Sequence, residues 1–371
     1  MRDLSEFPAV AEAVRIFDGD AVLVGGCVRD LVMGREPSDF DLASPLPPDE
    51  IEARIRAAGR RAYGVGKRFG TVGFRIGGHI VEVTTYRTEV YEEGSRKPLV
   101  DFVPDLTTDL SRRDFTCNAM AMKLPGGRIA DPFGGRKDIA AGIIRCVGKP
   151  ALRFREDPLR LLRAARFAAQ LGFTVEAETA RSATKLAHKI LSVSKERWGI
   201  ELDKLLAAPG VGAGLRFLAQ TRLLNYMLPE LAIQVGYDQH SPYHGLDLWE
   251  HTVRVVAGVP AEADLRWAAL LHDIGKPYTR TEKPDRSNYV HHELVGAEIV
   301  EKIAAYLRWS KDRAAYVREV VLRHLEEGSP LREADGNAKR KTLNAESGRD
   351  GRGESHSDGP AARLDTTGAE G

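Results

Sequence analysis

Residues 23–42, with the sequence LVGGCVRDLVMGREPSDFDL, decide how the first part of this chain folds. A short apolar run leads into the Gly25-Gly26 turn, a helical start follows, and Asp39 and Asp41 close the stretch. Side chains two residues apart in a strand point to the same face, so the two carboxylates are predicted to lie side by side. Like charges at that separation require a cation, and Mg²⁺ typically takes one or two carboxylates together with substrate phosphates.

The glycine turn suits a phosphate group, because it presents bare backbone N–H groups at the start of a helix. A glycine pair alone is usually a plain turn, and two nearby aspartates alone are usually a solvated strand end. Their combination in the order strand, turn, helix, strand predicts metal-assisted chemistry on a nucleoside triphosphate. The stretch resembles the head-domain signature of nucleotidyltransferases related to DNA polymerase β. Within them it is most similar to the bacterial class II tRNA nucleotidyltransferase (CCA-adding enzyme) and poly(A) polymerase family.

The resemblance implies a fold class, and changes of pattern along the chain imply a domain organisation. We expect an α/β polymerase-β-like nucleotidyltransferase head, then an all-helical neck and body, then a helical HD domain. Predicted strands over 71–76 and 79–85, joined by Gly77-Gly78, support the head, and apolar residues at helical spacing dominate from Glu156 onward. The predicted parts are the nucleotidyltransferase head (1–135), the helical neck/body with the nucleobase template and RNA binding (136–235), the HD domain (236–330) and a disordered tail (331–371).

Composition indicates a cytoplasmic protein with an unstructured end. The 371 residues are 43% hydrophobic and 29% charged, which is typical of a soluble globular protein. The net charge is +1, so an RNA-binding surface must be a local concentration of Lys and Arg. Three scattered cysteines favour a reducing cytosol, and we expect neither a signal peptide nor a membrane contact. Residues 331–371 contain no Val, Ile, Phe, Tyr or Trp, so they cannot offset their ordering entropy by burial.

Two further stretches of the head match the same family. Residues 111–122, SRRDFTCNAMAM, resemble the motif RRDFTxNA, in which Arg113 suits a bidentate contact with a triphosphate. The alternative is a purely local capping arrangement around Asp114. Residues 81–87, VEVTTYR, also match, and Glu82 is either a third metal ligand or an edge-strand acid that faces water. The resemblance implies Asp39, Asp41 and Glu82 as ligands of two Mg²⁺ ions, with Asp39 and Asp41 catalytic, and Gly26, Arg29 and Arg113 as triphosphate-binding residues.

Residues 155–173, REDPLRLLRAARFAAQLGF, carry the prediction about the base. Asp157 before Pro158 suits a helix N-cap, and an arginine at every third position is most often a solvated basic face. In the family that this segment resembles, the matching positions form a nucleobase template. Carried over to this chain, these residues are Glu156, Asp157, Arg160, Arg163 and Arg166.

The chemistry of the template residues explains a preference for CTP and ATP. A carboxylate only accepts hydrogen bonds and a guanidinium only donates them, so Asp157 and Arg160 match the amino group and ring nitrogen of cytosine and adenine. Uracil and guanine would leave buried groups unpaired, which can reject a substrate by ~10⁴-fold or more. Arg163 and Arg166 are then expected to be free for phosphate or ribose.

A second candidate centre lies in the histidine-rich region, which holds seven of the ten histidines between residues 240 and 324. Residues 248–256, LWEHTVRVV, and 270–277, LLHDIGKP, resemble the HD phosphohydrolase superfamily. The resemblance implies a metal site, and the donor types suit Mn²⁺ or Ni²⁺ as well as Mg²⁺ at lower affinity. The matching residues are His251, His272 and Asp273, with His291 or His292 and His324 as candidates for further ligands or phosphate contacts.

The last aspartate of the HD pattern has no convincing counterpart before residue 330. Asp335 is a poor candidate, because it falls in the predicted tail. We therefore expect a truncated HD domain with an incomplete metal site, and both an active and an inactive hydrolase stay open.

Three functions compete. The first is a template-independent nucleotidyltransferase that adds or repairs the CCA at the 3′ acceptor end of tRNA, with CTP and ATP as substrates and no DNA partner. The second is poly(A) polymerase, or an enzyme that adds only CC or only A. Residues 66–72, GKRFGTV, and the ending CNAMAM resemble tRNA-end enzymes more. The third is an HD-type phosphohydrolase whose head only holds RNA, against which the intact Asp39, Asp41, Arg113 and Asp157 argue.

Overall fold

The computed structural model shows an α/β head followed by helical parts, which confirms the predicted fold class. It describes residues 4–64, 66–76, 79–90, 99–240 and 246–338. The predicted Gly77-Gly78 turn lies outside these residues. The limits that the sequence suggests between the domains stay predictions.

A mixed sheet of seven strands carries the head. The strands of the head are β1 (Val22–Val24), β2 (Phe40–Ser44), β3 (Ala62–Tyr63), β4 (Thr71–Ile76), β5 (His79–Thr85), β6 (Arg87–Val90), β7 (Leu99–Phe102), β8 (Ala121–Lys123) and β9 (Ile129–Ala130). The sheet has the order β3-β4-β5-β2-β1-β8-β9, and β6 pairs with β7 in a separate ribbon. Strands β2 and β5 are parallel, and the other neighbours in the sheet are antiparallel.

Helices cover the sheet of the head. They are α1 (Pro8–Phe17), α2 (Gly26–Val32), α3 (Pro48–Ala57), α4 (Leu106–Ser111) and α5 (Gly135–Ala141). Single 3₁₀ turns occur at Leu4–Glu6, Lys67–Phe69 and Thr116–Asn118. Pro8 and Pro48 begin α1 and α3, because proline fits the first helical position, where no N–H is needed. Phe17, Ile51 and Phe74 are fully buried where these helices meet β4, and they anchor the core of the head.

The strands that matter for the first site occur close to where the sequence predicts them. The strands over 71–76 and 79–85 are confirmed as the antiparallel pair β4 and β5. The strand that was expected to carry both Asp39 and Asp41 begins at Phe40, so Asp39 lies just before it. Asp41 is the direct partner of Glu82 in the parallel pair of β2 and β5, which sets these two carboxylates beside each other.

The middle of the chain is helical. Its helices are α6 (Pro150–Glu156), α7 (Leu159–Leu171), α8 (Ala177–Leu186), α9 (Lys195–Leu206), α10 (Val211–Gln220), α11 (Leu223–Met227) and α12 (Pro229–Ala232), with a 3₁₀ stretch at Ala187–Ser192. Strands β10 (Ile143–Ile144) and β11 (Thr174–Val175) form a short parallel pair. Helix α7 packs between α9 and α10, and one face of it meets the head. This position explains why most of its side chains are buried.

The C-terminal part is also helical. Its helices are α13 (Leu248–Gly258), α14 (Ala263–Leu271), α15 (Lys276–Thr279), α16 (His292–Leu307) and α17 (Lys311–Leu322), and its strands are β12 (Thr281–Glu282) and β13 (Ser287–Asn288). Its apolar residues join those of the middle part in one continuous core. Asp247 caps α13 by accepting a hydrogen bond from the Glu250 N–H at 2.8 Å.

The prediction that disorder begins at residue 331 is wrong for 331–338. Residues 332–338 form a helix, and Leu331, Ala334 and Ala338 are buried in the core. Their spacing of three and four places small apolar side chains on one helical face, and Ala334 packs beside Gly258 at the end of α13. Disorder was predicted from the absence of β-branched and aromatic residues, but Leu and Ala side chains are enough to bury this short helix. Residues 339–371 lie outside the described part of the chain.

The three cysteines are unpaired and lie in the core. Cys27, Cys117 and Cys146 are buried and reduced. Burial raises the pKa of the Cys117 thiol to about 12, so this side chain is an unreactive part of the core. Among the helices described, none is both long and apolar enough to cross a membrane.

Candidate active site and candidate metal centre

A cleft of about 620 Å³ opens where α7 faces the head. Its lining residues come from three separate sequence motifs. Those that line it are Gly26, Arg29, Asp39, Asp41, Arg113, Asp157, Arg160, Arg163 and Arg166. The cleft therefore contains most of the predicted nucleotidyl-transfer site.

Carboxylates form one wall of the cleft. Asp41 lies there with Asp39, and Glu82 stands beside Asp41 in the next strand. Partial desolvation raises the pKa of Asp41, Arg113 opposes this effect, and the negative charges of Glu82 and Asp39 raise the pKa further. Such a group of oxygen donors fits Mg²⁺, which would relieve the repulsion. In the described residues these three carboxylates do not gather within 4.8 Å, so substrate phosphates would complete the coordination.

The glycine turn and Arg113 form the next part of the cleft. Gly25 has a φ of +79°, and a Cβ at this position would lie 2.9 Å from Arg113 Nη1. The turn therefore needs glycine for its backbone angle, and the guanidinium of Arg113 lies close beside it. Arg29 is held in place, since its Nη1 donates to Asn118 Oδ1 at 2.8 Å and its Nε to Asp30 Oδ1 at 2.9 Å.

Asp114 joins the head to α7. Its Oδ1 accepts hydrogen bonds from the Phe115 N–H at 2.7 Å and from Asn118 Nδ2 at 3.1 Å, and its Oδ2 accepts two from Arg163 at 2.9 and 2.6 Å. Burial alone would raise the pKa of Asp114, but Arg163, Asn118 and the Phe115 N–H outweigh it and hold the pKa at about 2. The local capping arrangement is thus present, and a long-range ion pair is added to it.

Asp157 occupies the junction between α6 and α7. Its Oδ1 accepts a hydrogen bond from the Leu159 N–H at 3.1 Å, but the N-cap position of α7 is Pro158, one residue after the predicted N-cap. Its Oδ2 lies 3.3 Å from Arg197 Nη2, and Arg197 also lines the cleft. Arg197 was not among the predicted residues, because it lies on α9 and no local pattern connects it with the template segment.

Arg160 is buried, and three of its five N–H groups donate to the protein. It donates to Glu156 Oε2 at 2.9 Å, to the Arg153 carbonyl at 3.1 Å and to the Arg112 carbonyl at 2.7 Å. The ion pair within the template segment is therefore between Arg160 and Glu156. Because three acceptors fix the guanidinium, it enters the cleft in one orientation.

The expectation that Arg163 and Arg166 are free is wrong. Arg163 is bound to Asp114, and its Nη1 lies 3.6 Å from Glu201 Oε1. Arg166 Nε lies 3.0 Å from Glu201 Oε2, and both guanidinium groups lie over the Phe167 ring. Burial, followed by the charge of Arg163, lowers the pKa of Arg166 to about 10. These arginines of α7 face the head and α9 and not solvent, so they pair there with the buried acids Asp114 and Glu201.

The predicted HD residues come together in a second, buried centre. His251 lies on α13, and His272 and Asp273 directly follow α14. His272 Nε2 lies 3.1 Å and His251 Nε2 lies 3.5 Å from Asp273 Oδ2. The three ligand atoms lie within 4.8 Å of one another, which is a spacing that suits a metal ion.

Asp335 belongs to this centre, contrary to the expectation that it is a poor candidate. Its Oδ1 lies 3.0 Å from His251 Nε2. The helix over 332–338 carries Asp335 to this place, because Ala334 packs against the end of α13. An acid therefore does lie beside His251, in the misjudged segment, and its role as a metal ligand stays a prediction.

His292 and His324 add two more imidazoles, and His291 does not. His292 Nε2 and His324 Nε2 lie 3.2 Å apart, at 3.3 and 3.7 Å from Asp273 Oδ1. The side chain of His291 is 71% exposed. Gly275 allows the close approach of α16, since a Cβ there would lie 2.1 Å from the His292 carbonyl oxygen.

Backbone carbonyls orient three of these imidazoles. The Nδ1 atoms of His272, His292 and His324 lie 2.8, 2.6 and 2.6 Å from the carbonyl oxygens of Ala269, Tyr289 and Val321. A carbonyl can only accept, so Nδ1 carries the proton and the Nε2 lone pair faces Asp273. This is the usual arrangement of histidines that bind metal. The donor set therefore fits a divalent transition metal.

Comparison with known proteins matches three parts of the chain. Family models match as the Poly A polymerase head domain over residues 21–145, the probable RNA and SrmB-binding site of polymerase A over 172–234, and the HD domain over 244–365. The structure of the Bacillus stearothermophilus CCA-adding enzyme in complex with CTP is 30% identical in sequence, has a TM-score of 0.62, and is matched over 91% of this chain and 83% of that chain. This chain belongs to the CCA-adding enzyme family.

Relatives within the CCA-adding enzyme family match over part of their length. The enzyme of Geobacillus thermodenitrificans is 39% identical over 269 residues, which is 71% of this chain and 62% of that protein. The enzyme of Bacillus pumilus is 40% identical over 69% of this chain and 60% of that protein. The chain thus spans about three fifths of the length of these curated relatives. The Thermotoga maritima CCA-adding enzyme complexed with tRNA shares the fold, with a TM-score of 0.62 at 21% identity, over 93% of this chain and 84% of that chain.

Proposed function

We propose that this chain adds or repairs the 3′-terminal CCA of tRNA from CTP and ATP by template-independent nucleotidyl transfer. The single observation that carries the proposal is the cleft that joins Asp39, Asp41, Arg113, Asp157 and Arg160. Related structures of CCA-adding enzymes contain CTP or tRNA, which supports the same substrates here. We propose RNA and not DNA as the primer, and the cytoplasm as the location.

The proposed transfer uses two Mg²⁺ ions held by Asp39 and Asp41, with Glu82 beside them. When bound, such ions lower the pKa of the RNA 3′-hydroxyl and stabilise the charge on the leaving pyrophosphate. The two carboxylates orient the reacting end of the nucleotide in the cleft. Arg113 binds the triphosphate next to the glycine turn, and Arg29, held by Asp30 and Asn118, supports the same wall.

Base selection is proposed to rest on Asp157 and Arg160. Asp157 accepts from the amino group of cytosine or adenine, and Arg160 donates to the ring nitrogen. Arg160 is fixed by three protein acceptors, and Arg197 restrains Asp157, so neither group can easily turn to suit uracil or guanine. Preorganised donors and acceptors of this kind reject a base that leaves them unpaired.

Arg163 and Arg166 are proposed to hold the template helix α7 in place. Arg113, and not these two residues, is proposed to bind the phosphates. Both are paired with acids that connect the head, α7 and α9. Their positive charges still border the cleft and favour a nucleotide there through the local field.

The test is nucleotide incorporation on three RNAs. Transcripts of one tRNA ending before CCA and after CC, and an unrelated RNA, are incubated with CTP and ATP separately. We expect CTP to extend the first transcript and ATP to extend the second, with no extension of the unrelated RNA. Long adenosine tracts on every RNA would establish poly(A) polymerase instead, and extension by only one nucleotide type would establish a partial enzyme. Loss of all incorporation in Asp39→Ala and Asp41→Ala ties the activity to the cleft.

A second function is favoured by the metal centre. The group of His251, His272, Asp273 and Asp335 suits hydrolysis of a phosphate ester or a 2′,3′-cyclic phosphate, with Mn²⁺, Ni²⁺ or Mg²⁺ as the metal. A bound metal would supply a hydroxide nucleophile near neutral pH. Release of phosphate from a 2′,3′-cyclic RNA end is expected to stop in the double variant His272→Ala/Asp273→Ala. Unchanged release in that variant would exclude the centre as its source.

A further inference from the structure

One row of paired residues runs across four strands of the head, from the carboxylates to an aromatic side chain. Asp41 on β2 pairs with Glu82 on β5, Glu82 pairs with Gly73 on β4, and Gly73 pairs with Tyr63 on β3. Paired residues in neighbouring strands point to the same side of a sheet. Tyr63 therefore shares a face with Asp41 and Glu82, two strand spacings of about 4.8 Å each beyond Glu82.

This face of the sheet is covered at one end and open at the other. Further along β2 the face carries Ala43, which packs with Tyr86 and Leu110. In the opposite direction lies Ile80, two residues before Glu82 on β5 and thus on the same face. Ile80 is 51% exposed and Tyr63 is 36% exposed. The carboxylates thus border an open surface with apolar groups.

Gly73 lies in the middle of the row, and in the described part of the chain the packing does not require glycine there. A Cβ at this position would meet no atom closer than 3.8 Å, and its backbone angle is one that other residues adopt. Glycine inside a strand weakens it, and it often marks a place where a ligand approaches closely. A ligand that lies over the sheet between Glu82 and Tyr63 explains the glycine.

Two arginines complete the open surface. The guanidinium carbon of Arg61 lies 5.6 Å from the centre of the Tyr63 ring. Arg75 pairs with Ile80 in the antiparallel register and shares its face, and both arginines are exposed. Neither arginine has an acidic partner among the residues that the structure describes. Aromatic rings beside free cations are typical of surfaces that bind single-stranded nucleic acid, because bases stack on the rings and phosphates meet the cations.

The order of the strands gives the direction from which an RNA end would reach the carboxylates. The Gly25-Gly26 turn, where the triphosphate is proposed to bind, follows β1, and β1 lies on the opposite side of β2 from β5. In phosphoryl transfer the attacking and leaving oxygens lie roughly in line. The attacking 3′-hydroxyl therefore approaches from the side of β5, β4 and β3, where the open surface lies.

We propose that this surface, formed by Arg61, Tyr63, Gly73, Arg75 and Ile80 and here called the primer platform, holds the 3′ end of the RNA that is extended. The last base of the RNA packs over Gly73 and against the Tyr63 ring and Ile80. Arg61 and Arg75 bind the backbone phosphates. The proposal rests on the proposed nucleotidyl transfer, and it assigns to the primer a part of the head that does not contact the incoming nucleotide.

The experiment measures primer binding separately from nucleotide use. A tRNA transcript with 2-aminopurine as its last nucleotide is titrated with the full chain in the absence of nucleoside triphosphates, because stacking on a ring quenches the fluorescence of this base. Incorporation of CTP into the unmodified transcript then gives KM for the RNA and KM for CTP. The variants are Tyr63→Ala, Tyr63→Phe, Gly73→Val and the double variant Arg61→Ala/Arg75→Ala. The control is His79→Ala, which is exposed on β5 but points to the other face.

We expect Tyr63→Ala and Gly73→Val to abolish the quenching and to raise KM for the RNA by about fivefold or more, with KM for CTP unchanged. Tyr63→Phe keeps a ring, so it should retain both the quenching and the native KM, as should His79→Ala. The double arginine variant should reduce the slope of log Kd for the RNA against log salt by about 1.4, which corresponds to two phosphate contacts of a single strand. Circular dichroism and thermal unfolding verify the fold of each variant.

Unchanged quenching and an unchanged KM for the RNA in both Tyr63→Ala and Gly73→Val would overturn the proposal. An equal rise of KM for CTP would also overturn it, because Tyr63 would then act on the incoming nucleotide. Quenching that depends on Tyr63 in a protein that adds neither CTP nor ATP would contradict the proposed function and leave the primer platform standing. Addition of CCA that does not respond to Tyr63→Ala or Gly73→Val would do the reverse.

Discussion

Arg163 donates two hydrogen bonds to Asp114 Oδ2, at 2.9 and 2.6 Å, and so ties the template helix α7 to the head. The pair connects the motif SRRDFT of the head with the segment that is proposed to select the base. Because Asp114 also accepts from Phe115 and Asn118, the contact is a fixed joint between the two parts of the cleft. Its loss is expected to affect stability and base selection together.

Removal of this joint provides the first prediction. Asp114→Ala leaves Arg163 without its main partner next to the buried Glu201, and breaking such a buried pair typically costs about 3 kcal/mol. We expect the free energy of unfolding to fall by about this amount in urea titrations. The double variant Asp114→Ala/Arg163→Ala should recover part of the loss. Additive losses in the two single variants would show that the pair is not coupled.

Acid should weaken the same joint. The pKa of Asp114 is held at about 2, below its ordinary value of 3.8, so its contribution to stability is complete above the unfolded-state pKa. That contribution is lost as the pH falls from about 4 through about 2. We expect the free energy of unfolding to decline more steeply across this window in the native chain than in Asp114→Asn. Parallel pH profiles of the two proteins would contradict the assignment.

Base selection should depend on the restraint of Asp157. Asp157→Ala and Arg160→Ala are expected to lower the preference for CTP over UTP, in kcat/KM, by at least about tenfold from the ~10⁴ that such sites can reach. Arg197→Ala should change the preference in the same direction by a smaller factor, because it removes only the contact to Asp157. Arg155→Ala, an exposed neighbour, is the matched control. Full exclusion of UTP in both Asp157→Ala and Arg160→Ala would exclude this template.

The helix over 332–338 should be necessary for the metal centre. A chain that ends after residue 338 keeps Asp335 and its buried neighbours, whereas one that ends after residue 330 loses them. We expect the longer chain to retain Mn²⁺ at the site of His251, His272 and Asp273 and the shorter chain to lose it there. Asp335→Asn in the full chain changes the proposed metal ligand but keeps the helix and its packing, so it distinguishes the two roles. Equal metal content in all three proteins would show that Asp335 is not a ligand.

Local patterns predicted much of the fold and part of each site. Alternating apolar and polar residues predicted β4 and β5, and the glycine turn predicted the stretch that ends in Asp39 and Asp41. Both signals are properties of neighbouring residues. The same holds for His272 and Asp273, which are adjacent. Their assembly into one buried group follows the HD resemblance, and the distances in the structure agree with it.

Contacts between distant elements could not be predicted in this way. Nothing near Arg166 or Asp157 indicated that Glu201 and Arg197, on α9, would be their partners. Arginines at every third position are typical of a solvated face, and only the docking of α7 against the head buries them. Asp335 was misjudged for a related reason, because three small apolar residues suffice to fold a short helix when a core is already there to receive them.

The most direct test is the mass of the product formed from all four nucleoside triphosphates. A tRNA transcript without CCA is incubated with CTP, ATP, GTP and UTP together, and the intact RNA is analysed by mass spectrometry. The proposed function predicts a single product that is longer by two cytidine and one adenosine nucleotides and does not grow further. A ladder of adenosine additions, or incorporation of guanosine or uridine, would contradict it.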